Sequence, residues 1–300
     1  MSQSSRLNMP PARTRFDDLQ MVHVIQTEDV HGVGGFLPFH RYFVHIHEQL
    51  LRTECNYTSG QPYWDETIDA GHFSTSIILD PISGFGGNGS GEDDCISDGP
   101  FKDYVGPIGP RQIIQDHCIY RVVNDCASAT GKSDVVERCM KSNTYIDFWN
   151  CLEALPHTAG HGGIGGQMFD VFSSPGDPLF YLHHAWLDKL WADWQAQNST
   201  MRTLEMGGTN QGFPLGSFPP LPSPPFGTPV NGVCPELPPP GEGIPGFPAL
   251  PIPEPFKPHE GDPANVTTLG HMLMSAEILP NATVADVMDT KGGYLCYEYL

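Results

Sequence analysis

Apolar residues recur at helical spacing in four stretches of this 300-residue chain. Phe16, Leu19 and Val22 predict a short helix from Arg15 to His23. Gly32, Gly34 and Gly35 break regularity, and Pro38 sits where a new helix can begin. Phe43, Val44, Ile46, Leu50 and Leu51 place that helix over Phe39 to Arg52, with a turn at Asn56 to Gly60. A third helix starts near Ser142 and carries Ile146, Phe148, Trp149, Leu152 and Leu155 up to His157. The fourth runs from Pro178 to Gln197.

Between and beyond these stretches the pattern is polar or irregular. Residues 1–13 read as a polar tail, and residues 82–100, rich in Gly, Asp and Ser, as a surface loop. Residues 213–263 hold more than half of the chain's 30 prolines, which precludes regular helix or central strand. Phe213, Phe218, Phe226 and Phe247 interleave with those prolines, so the segment is expected to wrap over the domain as irregular chain. Residues 264–300 return to globular composition and end in GGYLCYEYL. Residues 14–300 thus read as a single, mainly α domain with a loop-rich shell and few short strands.

Charge and cysteines narrow the partners. A formal charge of −20 would repel phosphate backbones and anionic membrane surfaces, so nucleic acid and membrane are not expected partners. Eight cysteines without a CxxC pair permit disulfides and argue against a zinc ribbon. Five sequons, at Asn56, Asn88, Asn198, Asn265 and Asn281, also favour an extracellular protein. The N-terminus has no apolar leader, so either a leader is missing from this chain or the protein is cytoplasmic.

The histidines carry the chemistry. His23, His31 and His40 fall within MVHVIQTEDVHGVGGFLPFHRYF, and His157 and His161 within PHTAGH, with His183 and His184 following in DPLFYLHHAWLDKLW. Six imidazoles in two groups of three suit a pair of copper ions, and three per metal leave a position open for an exogenous ligand. His157 and His161, four apart, share one helix face, although a bare HxxxH is common by chance. The GxGxxG of Gly160, Gly162 and Gly165 follows no strand and is not read as a dinucleotide site. His183 and His184 lie about 100° apart on a helix, so one of them faces a given metal. His184 shares its stripe with Asp188 and is chosen as the ligand because a carboxylate commonly accompanies a metal-bound imidazole. His183 is left as a core histidine or one behind the ligands. His45, His47, His72, His117, His259 and His271 are left as structural or exposed.

HGVGGFLPFHRYFVHIHE resembles the copper-A signature of the tyrosinase and catechol oxidase family, and DPLFYLHHAWLDKLWADWQ its copper-B signature. PHTAGHGGIGGQM supplies the preceding histidine pair, PYWDE resembles the family's PYWDW, and Tyr297-Glu298-Tyr299 its closing tyrosine motif. The resemblance covers residues 14–300 and is strongest to short fungal members. It implies a four-helix bundle holding two coppers, with copper A on His23, His31 and His40 and copper B on His157, His161 and His184. Glu48 matches the acid of the copper-A helix, and Asp188 the acid after the double histidine.

The same resemblance implies a type 3 copper oxidase that uses dioxygen to convert small o-diphenols to o-quinones, with weaker action on monophenols, o-methoxyphenols or o-aminophenols. Its rivals are a true tyrosinase, reversible oxygen carriage of the haemocyanin kind, and a non-catalytic scaffold. Two departures matter. Asp29 stands where many fungal members carry a Cys joined to the second copper-A histidine, so no such crosslink is expected. Thr158 stands where many tyrosinases have Asn. Glu153 is the nearest candidate base, Thr158 its candidate partner, and Gly162 and Val171 the candidate substrate mouth. Gly162, Gly163, Gly165 and Gly166 suggest an open approach to copper B.

Overall fold

The computed structural model describes residues 4–7, 9–212, 234 and 259–300. Besides short 3-10 turns, nine α-helices appear among them. These are α1 (Arg15–Val30), α2 (Phe36–Cys55), α3 (Asp125–Ser128), α4 (Ser133–Met140), α5 (Tyr145–Ala154), α6 (Pro156–Ile164), α7 (Leu179–Ala196), α8 (Ser199–Arg202) and α9 (Val284–Val287). The strands are short antiparallel pairs: β1 (Gly89–Ser90) with β2 (Cys95–Ile96), β3 (Val105–Ile108) with β4 (Ile114–Cys118), and β5 (Met272–Leu273) with β6 (Ala282–Thr283). The mainly α reading holds. α2 packs along α7, α6 packs on α5 and α7, and α1 lies against α2.

α1 runs seven residues past the His23 limit drawn from its apolar spacing. That spacing fails because the inner face is largely polar: Arg15, Asp17, Asp18, Gln20, His23 and Thr27 are all buried. Each finds a partner, as buried polar groups must. Thr14 and Asp17 cap the helix reciprocally, and Asp17 also accepts from the Tyr104 hydroxyl. Asp18 accepts from Ser5 Oγ and the Arg6 amide, so the described part of the polar tail is docked on α1. The Thr27 hydroxyl donates to the His23 carbonyl and carries the helix past its last regular apolar position.

α2 begins three residues earlier than expected, and Pro38 lies within its first turn, where a missing N–H costs nothing. Asn56 closes it in the left-handed region at φ 55°, which Asn tolerates better than most residues. The third expected helix is two helices. Pro156 cannot donate to Leu152, and Leu155 before it leaves regular helix at φ −117°, ψ −73°. This break lets α6 turn and present His157 and His161 independently of α5. The expected loop 82–100 is correct apart from the two-residue pair β1–β2 within it.

Three disulfides close the shell, joining Cys95 to Cys118, Cys126 to Cys234 and Cys139 to Cys151, while Cys55 and Cys296 are free and exposed. The expected wrap over 213–263 lies outside the described residues, apart from Cys234 and residues 259–263.

A polar anchor of the core is Asp188 on α7. It pairs with buried Arg41 of α2 and accepts from the hydroxyls of Tyr297 and Tyr299, the latter at 2.5 Å. Arg41 also donates to Gln195 Oε1 at 3.0 Å and to the Val287 carbonyl at 2.9 Å, with its guanidinium 3.7 Å from the Trp191 ring centre. The closing tyrosines are thus held by the helix pair that carries His40 and His184. Asp188→Ala leaves a buried guanidinium unpaired and should cost about 3–5 kcal/mol. Urea unfolding of the copper-free chain measures it, and a loss under about 1 kcal/mol, the value of an exposed pair, would contradict this role.

Candidate metal centre

Both histidine sets assemble at one place in the core. His23 comes from α1, His31 caps its end, and His40 lies on α2. Their rings converge, with centroids 5.1 to 5.8 Å apart. His157 and His161 project from α6 and His183 and His184 from α7, so that one donor atom from each of the four lies within 4.8 Å of the others. The two sets meet where His40 stacks on His184 at 4.2 Å, while Phe36 and Phe180 pack among the imidazoles from either side.

Backbone carbonyls set the ring orientations. Nδ1 of His23 bonds the Phe172 carbonyl, that of His31 Thr27, that of His40 Phe36, that of His157 Glu153 and that of His161 Met168, at 2.5 to 3.2 Å. A neutral imidazole that donates from Nδ1 presents a bare lone pair on Nε2. Nε2 of His23, His40 and His157 is buried without any partner. Nε2 of His161 and His184 face each other at 3.2 Å. Two imidazole nitrogens bound to one tetrahedral ion at about 2.0–2.1 Å stand about 3.3 Å apart, so this pair is already at ligand separation. An all-imidazole donor set with unpartnered lone pairs fits copper, as the sequence pattern implied.

Burial lowers the pKa of every histidine here. It is the largest cause for each, with neighbouring histidines adding repulsion around His23, His40, His157, His161 and His184. His31 falls to about 4 and His183 to about 3. The set is therefore neutral and ready to coordinate at neutral pH.

One reason given for choosing His184 does not survive. Asp188 serves Arg41 and the closing tyrosines, and no hydrogen bond joins it to His184. The Nδ1 of His184 is buried without a partner. The Nε2 of His184 faces that of His161. The carboxylate on a histidine is instead Glu66, whose Oε1 lies 2.5 Å from Nδ1 of His183, both side chains being fully buried. Burial holds Glu66 well above the usual carboxyl range. The sequence reading missed Glu66, although an acid following the aromatic run of PYWDE was a signal. Gly160 has no room for a Cβ because the His183 ring would lie 2.1 Å from it.

Glu153 does sit between the two sets. Its Oε1 accepts from the amide of Gly32, the residue after His31, at 2.8 Å, and its Oε2 from Trp149 Nε1 at 2.5 Å. Burial raises its pKa to about 7 against the pull of these two bonds. The Thr158 hydroxyl turns back to the Glu153 carbonyl at 3.4 Å. Glu48 pairs with Arg52 along α2.

The glycines after His161 were expected to open the approach, and they do not. A Cβ on Gly163 would meet the Phe73 ring at 2.6 Å, and Gly165 takes φ +64° against the Val122 carbonyl, so both serve close packing. Gly162 is buried, while Val171 and His157 are half-exposed.

The description "Common central domain of tyrosinase" fits residues 13–197. Tyrosinase P of Aspergillus terreus is 31% identical over 251 residues, covering 67% of this chain and 70% of its own length. A tyrosinase-like protein of Diaporthe leptostromiformis is 29% identical, over 95% of this chain and 70% of its own. Among solved structures, the G292N mutant of a polyphenol oxidase from Thermothelomyces thermophila superposes with a TM-score of 0.72 at 26% identity. It covers all of this chain and 82% of that one.

The histidine shifts have a measurable consequence. Their folded pKa values lie below the unfolded 6.5, so the unfolded chain binds more protons as pH falls. Stability of the copper-free chain should therefore drop from about pH 6.5 toward about pH 4, the window set by His31. Glu66 and Glu153 act in the opposite sense but are two against seven. Thermal melting across that range checks it; a midpoint that is flat or rises on acidification would contradict neutral, buried imidazoles.

Proposed function

Because the chain belongs to the tyrosinase family of type 3 copper oxidases, we propose that it oxidises small o-diphenols to o-quinones with dioxygen, and hydroxylates monophenols more slowly. Two coppers, one on His23, His31 and His40 and one on His157, His161 and His184, would supply dioxygen binding and accept the substrate's electrons. Each diphenol gives up two electrons and two protons, so one dioxygen converts two diphenols and leaves as two waters.

The protein's own part is orientation and exclusion. Carbonyl bonds to Nδ1 hold five of the six imidazoles without charging them. Phe36 and Phe180 keep water from the faces of the rings. The half-exposed edge at His157 and Val171 is where a phenol ring can enter, which favours turnover over oxygen carriage.

The preference for diphenols rests on Glu153. A monophenol, with a pKa of about 10, must lose its proton to a base before it can react. Both oxygens of Glu153 are already engaged, by Gly32 and Trp149, and the Thr158 hydroxyl is turned to a backbone carbonyl. Each Glu153 oxygen keeps a lone pair for a water, but the bonds already made to it weaken it as a base, and the Thr158 proton is spent on the backbone. An extracellular location accords with three disulfides and with sequon asparagines that are all exposed. No described helix is long and apolar enough to cross a membrane.

Oxygen uptake by the copper-loaded chain on a catechol, its monophenol, an o-aminophenol and guaiacol tests the reading. Catechol should be fastest; reversible oxygen binding without turnover, or tyrosol hydroxylated as fast as its catechol is oxidised, would overturn it. Thr158→Asn, offering an amide where the hydroxyl now turns away, should raise the monophenol-to-diphenol ratio by about tenfold, the worth of one hydrogen bond of about 1.4 kcal/mol. An unchanged ratio would show that the base lies elsewhere.

A further inference from the structure

A third group of metal-binding side chains lies outside the centre just described. His259, Asp262 and His271 offer donor atoms within 4.8 Å of one another. His271 and Asp262 are buried and His259 is half-buried. The three come from the start of the closing segment, which re-enters the described structure at His259.

The arrangement of protons points to a ligand. His271 donates from Nδ1 to Asp262 Oδ2 at 2.6 Å, leaving its Nε2 as a bare lone pair. Asp262 is itself oriented by Asn210 Nδ2 on Oδ2 and by the Thr268 amide and hydroxyl on Oδ1, each at 2.8 Å. A carboxylate, firmly held, behind one nitrogen of an imidazole is the support that metal-bound histidines commonly have. His259 stacks on His271 at 4.1 Å, and its Nδ1 is buried with no partner. An unpaired buried nitrogen beside a second free imidazole nitrogen is costly in an empty pocket and useful in an occupied one. Gly35 leaves the space beside His271 Nε2 open, since a Cβ there would come within 3.3 Å. Asp29, exposed on the last turn of α1, adds negative charge near His271.

We infer that His259 and His271, supported by Asp262, form a separate site for a single divalent zinc-class ion. Two imidazoles with the remaining positions open to water suit zinc, Asp262 standing behind His271 as its support, and half-exposed His259 turns its ring off the stack to complete the geometry. The ion would tie His259 to His271 within the closing segment, which itself packs on the loop that follows His31. Gly34 of that loop donates to the Thr209 carbonyl, Thr267 Oγ1 bonds the same carbonyl, and His271 packs on Gly35. The site would therefore stabilise the copper-A loop without touching substrate. It does not depend on which phenol the enzyme uses.

The test uses the copper-loaded chain. Protein holding its copper is incubated with Zn²⁺, excess metal is removed by gel filtration, and copper and zinc are counted separately. The expected result is about one zinc per chain above unchanged copper, a higher melting temperature, and less than about a tenth of that zinc in His259→Ala with copper content intact. The half-exposed position of His259 makes misfolding of that variant a poor explanation, and unchanged copper content confirms its fold. Co²⁺ in place of zinc should give visible ligand-field absorption in the wild type and none in the variant. No retained zinc, equal zinc in His259→Ala, or zinc gained only as copper is lost would each overturn the site.

Discussion

Everything in this protein is arranged around one demand, that six imidazoles be buried together and uncharged. Burying so many basic groups would be ruinous if they were protonated, and Nε2 of His23, His40 and His157 is left buried without a partner. The solution is repeated almost ring by ring. Nδ1 is tied to a main-chain carbonyl, often the one four residues earlier, along one helix for His31 and His40 and across the α5–α6 break for His157. The helix backbone thereby fixes the tautomer as well as the position. His23 and His161 use carbonyls from the segment at residues 168–172 instead, so that segment belongs to the site although it contributes no ligand.

The second constraint follows from the first. Helices that turn histidines inward must still pack, and α2 and α7 do so through buried apolar residues such as Phe43, Ile46, Phe180 and Trp186. Buried charge pairs fix their register in addition: Arg41 with Asp188 between α2 and α7, and Arg15 with Glu54 between α1 and α2. Such pairs are specific in geometry and fragile to the loss of one partner. Arg121 and Asp177, fully buried, do the same for the approach to α7. The closing tyrosines extend this scheme, since Tyr297 and Tyr299 spend their hydroxyls on the same Asp188.

Glu66 and Glu153 show how the site's surroundings were only partly legible. Glu153 could be named from its place four residues before His157, a spacing that helix geometry makes meaningful. Its actual bonds, to an amide from the other histidine set and to an indole one turn earlier, depend on how α5 meets the loop after α1. Glu66 lies 117 residues from His183, and nothing local marks the pairing. Asp188 was misjudged for the converse reason: a shared helix stripe with His184 is a local fact, while its partners come from α2 and the chain's end.

The amino-acid sequence alone carried the two sets of histidines, the order of the long helices and the likeness to a copper-binding family. Those rest on residue type and short spacing, which survive in any fold that buries them. It also carried the absence of the Cys beside His31, a matter of identity at position 29. Tertiary structure decided the rest. It split the third helix at Pro156, extended α1 over a polar face, turned the glycines after His161 from an opening into packing, and brought His259 and His271 beside Asp262. Each of these depends on which surface a residue meets, and contacts between distant segments leave no period in the chain to read.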